Sequence, residues 1–354
     1  PWMSSGEVNK VNIYDTDEKI TTLAVHHSSA KIISKNAVMV ALNGQGKTKG
    51  MSAILRIDSA CNQSLCAFSC NAGILYYEYL FWCFQTMYTY LRQMSGDDVR
   101  DGLAASYVKK QKIPVPKYEE QQAIADFLDK ECAQIDSIAA DLEKQIELLQ
   151  QYKKSLITEA VTKGLDKSVP MKDSGVEWLG KIPEHWQKTR IKFEASIIGS
   201  GTTPDSGNSM YYDNGEHSWI QSGDLYGKDY IYETEKQLTN LAILECHALN
   251  WYTKDFVVVA MYGASVGNVA ISKIDSFTNQ ACCVIKLNEK NDNRYLFYFL
   301  QAAQDEMLLK AVGGPQPNIS QIIIKNLNFL NVPLLEQIEI ADFLDSKCDM
   351  INEM

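Results

Sequence analysis

Residues 41–48 read Ala41-Leu42-Asn43-Gly44-Gln45-Gly46-Lys47-Thr48, close to a phosphate-binding loop but with alanine in place of its first glycine. Such a loop works by opening a helix whose amino end and backbone amides hold the phosphates. Here Lys49-Gly50-Met51-Ser52-Ala53-Ile54-Leu55 follows, a turn and then a strand, so a nucleotide-hydrolysing enzyme built on these residues is the lesser reading. Five histidines, His26, His27, His185, His217 and His247, have no metal-ligand spacing. The nine cysteines (Cys61, Cys66, Cys70, Cys83, Cys132, Cys246, Cys282, Cys283 and Cys348) contain no Cys-x-x-Cys pair. They indicate neither a zinc ribbon nor a disulfide framework, and read as reduced and cytoplasmic. There is no Asn-Pro-Pro-Tyr segment, no glycine-rich cofactor turn opening a helix, and no convincing Asp…Glu-x-Lys nuclease arrangement. No catalytic residue, metal site or cofactor is assigned, and the chain is read as a non-enzyme.

The elements that would position any site are duplicated. At a period of about 217 residues, Ser4-Ser5-Gly6-Glu7 answers Gln221-Ser222-Gly223-Asp224, and Val38-Met39-Val40-Ala41 answers Val257-Val258-Val259-Ala260. Asn62-Gln63 answers Asn279-Gln280, and Tyr79-Leu80-Phe81 answers Tyr295-Leu296-Phe297. Ile124-Ala125-Asp126-Phe127-Leu128-Asp129 matches Ile340-Ala341-Asp342-Phe343-Leu344-Asp345 letter for letter. The matches keep one order with small gaps, as duplication requires. The first copy has no counterpart for roughly residues 173–217, and the second stops a few residues into its long helix, so both ends fall inside a unit.

Each copy reads as short strands followed by an aromatic-rich helix. Residues 31–42, 52–57 and 66–70 alternate or run apolar as strands do, and 256–260, 268–271 and 281–287 repeat them. Residues 77–91 and 293–309 read as helices. After Pro114-Val115-Pro116 a helix is expected from residue 119 to about 161. Its apolar seam is Ile135, Ile138, Leu142, Ile146, Leu149 and Leu156, with Tyr152 on the same face. At 1.5 Å per residue the rod is roughly 60 Å long. A helix that long needs a partner, and the one starting near Leu335 is the natural choice. The fold class is α+β: two mixed β/α modules joined by long helices that pair as an antiparallel coiled-coil spacer. The divisions are 1–117 (first module, amino-terminal part missing), 118–163 (spacer helix), 164–173 (linker), 174–334 (second module) and 335–354 (start of a truncated second spacer helix).

The net charge of −10 argues against a protein that coats nucleic acid indiscriminately. Phosphates feel only the local field, within about 8–10 Å at ordinary ionic strength. Residues 43–57 carry Lys47, Lys49 and Arg56 without an acid, and 106–117 carry Lys109, Lys110, Lys112 and Lys117 without one. No apolar run approaches the ~20 residues of a membrane span, and the amino terminus lacks signal-peptide features.

Several motifs resemble a known family. Gly175-Val176-Glu177-Trp178-Leu179-Gly180-Lys181-Ile182-Pro183-Glu184-His185-Trp186 is similar to the opening of a target recognition domain of type I restriction-modification specificity subunits. Gly201-Thr202-Thr203-Pro204, Trp219-Ile220-Gln221-Ser222-Gly223-Asp224-Leu225 and Tyr262-Gly263-Ala264-Ser265-Val266-Gly267 continue the pattern. So do Thr278-Asn279-Gln280, Gly314-Pro315-Gln316-Pro317-Asn318-Ile319-Ser320 and Pro333-Leu334-Leu335-Glu336-Gln337.

The resemblance implies double-stranded DNA with a bipartite target as ligand. It implies two methylation (M) subunits and the restriction (R) motor-nuclease subunits as partners, and no membrane. A rod of roughly 60 Å would span under two turns of duplex at about 34–36 Å each. Candidate DNA contacts are Gly44, Gln45, Gly46, Lys47, Thr48 and Lys49, then Tyr262, Gly263, Ala264, Ser265 and Asn268. Ser222, Asp224, Gln316 and Asn318 complete the set. Lysines would meet phosphate, and Gln45 or Asn268 an adenine edge. Asn62, Gln63, Asn279 and Gln280 more simply satisfy backbone groups. A protein-interaction scaffold of duplicated β/α modules is the alternative.

Overall fold

A computed structural model describes residues 1–44, 46–93, 102–263, 265–313 and 317–354. The chain divides into two compact units, Pro1–Glu143 and Lys144–Met354.

In the first unit, β1 (Asn12–Ile13), β2 (Ala37–Ala41), β3 (Ser52–Leu55) and β4 (Leu65–Phe68) form a sheet in the order β1-β3-β2-β4. β2 pairs antiparallel with β3 (Val38↔Ile54) and with β4 (Val40↔Cys66), while β1 joins β3 in parallel. All five residues of β2 are buried because both faces of the sheet are covered. Val38, Val40, Ile54 and Cys66 pack on Leu80, Phe81 and Phe84 of α1 (Tyr77–Gln93). Ala37, Met39, Ala53 and Leu55 face Met3, Val8 and Ile13. The period-2 alternation of strand side chains sorts one apolar run onto two cores. Truncating Phe84, which is 3% exposed, should cost about 3–5 kcal/mol.

The long helix α2 (Tyr118–Lys163) follows Pro114 and Pro116, carries Glu119 and Glu120 in its first turn, and has 46 residues. Its amino-terminal acids complement the helix dipole. Gly164, at φ +70°, ends it, donating its N–H to Ala160 O.

In the second unit the sheet is built from β5 (Ala195–Ser200), β6 (Tyr230–Ile231), β7 (Phe256–Ala260), β8 (Val269–Ser272) and β9 (Cys282–Leu287), ordered β5-β9-β7-β8-β6. Its four strands β6-β8-β7-β9 repeat the first sheet pair for pair, including the parallel β6–β8 contact. Only β5 is additional, and it precedes the duplicated region. The aromatic helix α3 (Asn293–Ala302) is capped by Asp292, whose side chain accepts from Arg294 N and Tyr295 N. The helix expected over 293–309 breaks at Ala303, and Gln304–Leu309 continues separately.

The last turns of α2 meet α4 (Leu334–Asn352) in this unit's core: Ile157, Ala160 and Val161 share a cluster with Ile340, Leu344 and Cys348. Gly164 lies beside Glu336, and Lys153 Nζ donates to Asn352 Oδ1 at 3.1 Å, so the helices run antiparallel, as expected. The shared seam is shorter than the apolar stripe. Ile135, Ile138, Leu142 and Ile146 are exposed.

Candidate nucleic-acid interface

In the first unit the loop between β2 and β3 is closed at its base by Ala41 N–H to Met51 O and Gly50 N–H to Ala41 O, both 2.9 Å. Gly50 sits at φ +84°, which its turn requires and other residues resist. The loop leads into a strand and opens no helix, so its backbone offers no phosphate cradle. It is braced instead from the end of α1: Tyr88 Oη donates to Lys47 O (2.6 Å) and Arg92 Nη1 to Gly46 O (2.8 Å).

Leu103 N–H donates to Leu42 O at 2.8 Å, which lays the short helix Ala105–Lys109 against the same sheet end, with Val108 beside Leu42 in the core. Tyr107 and Tyr90 join by their hydroxyls at 3.0 Å. The two acid-free segments, sixty residues apart, thus start from the same sheet end. Lys47 on the loop and Lys109 and Lys110 at the end of the short helix are exposed and form no ion pair among the described residues. The chain then runs to Pro114, whose carbonyl accepts from Tyr79 Oη at the opposite end of α1, which carries Lys112 and Lys117 away from the loop.

The second unit repeats the frame. Ile319 N–H donates to Met261 O (2.7 Å), as Leu103 does to Leu42, and Gly267 N–H donates to Ala260 O (2.8 Å). Ser222 Oγ lies beside Gly263, 3.9 Å from where a side chain on that glycine would begin. Asn318 and Val312 exchange two backbone hydrogen bonds of 2.8 and 3.1 Å. The structure therefore gathers Ser222, Gly263 and the exposed Asn318 at one sheet end.

Other candidates lie elsewhere. Thr48 and Lys49 are buried, 8% and 9% exposed, under the loop they were expected to crown; Thr48 Oγ1 accepts from Asn9 Nδ2. Asp224 is buried and fully engaged as a cap, its two oxygens accepting from Gln221 N (2.8 Å) and Glu235 N (3.1 Å). Its counterpart Glu7 accepts from Ser4 N (2.8 Å) and Asp17 N (3.0 Å) in the same way. Ser265 is buried, and Tyr262 packs on the core. Asn268 lines a cavity of about 310 Å³ with Gln150, Lys153 and Gln301, against α2. Gln45, Ala264 and Gln316 fall outside the described residues. Asn62 and Asn279 accept from Ser64 N (3.1 Å) and Ala281 N (3.0 Å), serving the backbone as expected.

Two duplicated contacts escaped the sequence reading. Gln121 and Gln337, both 0% exposed, tie each long helix to the chain entering its aromatic helix. Gln121 Oε1 accepts from Tyr76 N and its Nε2 donates to Ile74 O and Pro116 O. Gln337 Oε1 accepts from Asp292 N, and its Nε2 donates to Asn291 Oδ1 and Val332 O. Two turns further, Trp82 Nε1 donates to Asp129 and Tyr298 Oη to Asp345, 2.8 and 2.7 Å. Burial pushes the Cys283 thiol up to about 12 and raises Cys282 further, so both stay protonated and serve packing. Among the described residues no group of three or more His, Cys, Asp or Glu could hold a metal ion, and no helix is long and apolar enough to cross a membrane.

Comparison with known proteins agrees with this duplicated frame. A chain from a structure of complex assembly and conformational transition in the type I R-M system superposes with a TM-score of 0.76, at 16% identity, covering 99% of this chain and 84% of that one. The HsdS subunit of Thermoanaerobacter tengcongensis gives 0.61, at 16% identity, covering 99% and 83%. These likenesses establish the fold. In sequence, the putative type I restriction enzyme MjaX specificity subunit of Methanocaldococcus jannaschii is 28% identical over 251 residues, 69% of this chain and 54% of the relative. The MjaVIII specificity subunit of the same organism is 26% identical over 281 residues, 77% and 64%. The chain thus spans about half to two thirds of the length of these relatives. The sequence model of the type I restriction modification DNA specificity domain matches residues 1–148 and again 183–353, and the chain belongs to that family.

Proposed function

We propose that this chain reads a bipartite double-stranded DNA target as the non-catalytic specificity subunit of a type I restriction-modification complex, docking two methylation subunits and, through them, restriction subunits. The observation that carries this reading is the braced loop with its exposed Lys47, at the sheet end where the second copy gathers Ser222, Gly263 and Asn318, with Lys109 and Lys110 exposed on the segment that starts from the same end. Lysines meet phosphates and set the register, while the loop glycines Gly44, Gly46 and Gly263 let backbone approach the bases. Ser222 and Asn318 offer hydrogen-bonding groups to base edges. At 46 residues and 1.5 Å per residue α2 is about 70 Å long, near two turns of duplex, and its length sets the gap between half-sites.

A randomised duplex library titrated with chain plus methylation subunit tests the reading. Enrichment of one split motif supports it. Assembly with the methylation subunit and no sequence enrichment favours a protein scaffold.

A further inference from the structure

Unit 2 carries a cationic surface of its own, at the sheet end opposite the loop after β7. β5 pairs with β9 so that Ser200↔Cys283 lies at the loop end and Ala195↔Leu287 at the other. The strand Gln187–Arg190 and the short helix Ile191–Glu194 lead into Ala195, which puts them at the far end. The length of β7, five residues at about 3.3 Å each, separates the two ends by roughly 16 Å.

At this corner Arg190 Nη1 and Lys192 Nζ both donate to one neutral oxygen, Asn326 Oδ1, at 3.3 and 2.9 Å. Asn326 Nδ2 is held by Ile322 O at 2.9 Å, so the amide cannot turn away. Sharing that oxygen keeps the two cations within about 6 Å, close enough to repel each other. Neither has a carboxylate partner among the described residues, nor do the neighbouring Lys188 and Lys325. The local acid, Glu194, is taken by Thr189 Oγ1 (3.1 Å) and Asn291 Nδ2 (3.2 Å). Beside the cations, Phe193 is 68% and Ile322 70% exposed, and Lys192 Nζ lies 5.1 Å from the Phe193 ring centre.

We propose that this corner docks a carboxylate-rich segment of a partner protein that also carries an apolar anchor. Carboxylates would neutralise Arg190 and Lys192, and the anchor would cover Phe193 and Ile322. Phosphates would satisfy the cations but leave both apolar side chains in water. The inference stands apart from the DNA reading.

The test is fluorescence anisotropy of the full chain with a labelled Glu-Glu-Leu-Phe-Glu-Glu peptide, its Gln-Gln-Leu-Phe-Gln-Gln counterpart, and a labelled duplex. The acidic peptide should bind at least about tenfold more tightly than the neutral one. Arg190→Glu with Lys192→Glu should abolish that preference, Phe193→Ser should weaken binding several-fold, and Lys47→Ala should leave it unchanged. Thermal unfolding checks that the variants fold, and the milder Lys192→Gln serves if the double reversal does not. Equal binding of both peptides, absence of binding, or indifference to the variants would overturn the proposal. So would a matching loss of duplex binding in the reversal variants, which would make the corner a nucleic-acid face.

Discussion

The two modules share strand order, caps and buried glutamines, yet differ in charge. Residues 1–117 carry 13 Lys and Arg against 9 Asp and Glu, whereas residues 174–334 carry the same 13 against 17. At the first loop end three lysines stand exposed. The corresponding second loop, residues 262–268, has none, and Lys325, at the position equivalent to Lys109, is half-buried. Duplication kept what the fold needs. On the proposed reading the first module grips phosphate, and the second leans on hydrogen-bonding groups such as Ser222 and Asn318.

Breaking what the modules have in common should have the largest effect. Gln337→Ala removes three hydrogen bonds and strands buried backbone groups, so it should destabilise the second unit by about 2–4 kcal/mol in urea unfolding. Gln121→Ala should do the same to the first. A loss below about 1 kcal/mol in either would remove the glutamine from the fold's supports. Next in size is the charge contrast. Lys47→Ala, Lys109→Ala and Lys110→Ala together should flatten the slope of log K against log salt by up to about 2.7, near 0.9 per phosphate contact, for every duplex sequence. Ser222→Ala with Asn318→Ala, which removes no charge, should leave it nearly unchanged. Equal changes would erase the distinction between the tips.

Smaller effects refine the shared contacts. Tyr298→Phe loses one hydrogen bond to Asp345 and should cost about 1 kcal/mol in the second unit. The smallest effect is one of pH. Although burial raises the Glu78 carboxyl, hydrogen bonds from Tyr76, Arg56 and Tyr77 outweigh it and hold the group below its ordinary 4.5. A depressed folded value stabilises above the unfolded one and is lost as pH falls through the folded one. Glu78→Gln should therefore flatten the stability of the first unit against pH below about 4.5. An unchanged profile would mean that the Arg56–Glu78 pair adds nothing.

Much of this was legible in sequence, because repetition reports itself. The apolar strands, the aromatic helices and the letter-for-letter Ile124–Asp129 hexapeptide marked both modules and the long helix. Burial of polar side chains was not legible. Asp224 in a turn looks the same whether it caps a backbone or faces DNA, and only its two amide donors decide. Lys49 stands two residues from exposed Lys47, but the turn at Gly50 folds it under the loop. The corner at Arg190 and Lys192 had no second copy to draw attention to it.

The central claim is that two unlike tips read one divided DNA sequence at a separation set by α2. It is tested most directly by selecting duplexes with chain and methylation subunit, then repeating the selection after deleting one turn of helix near Leu149. The account predicts the same two half-sites with a changed gap. Retention of the original gap, or no enriched sequence in either round, would contradict it.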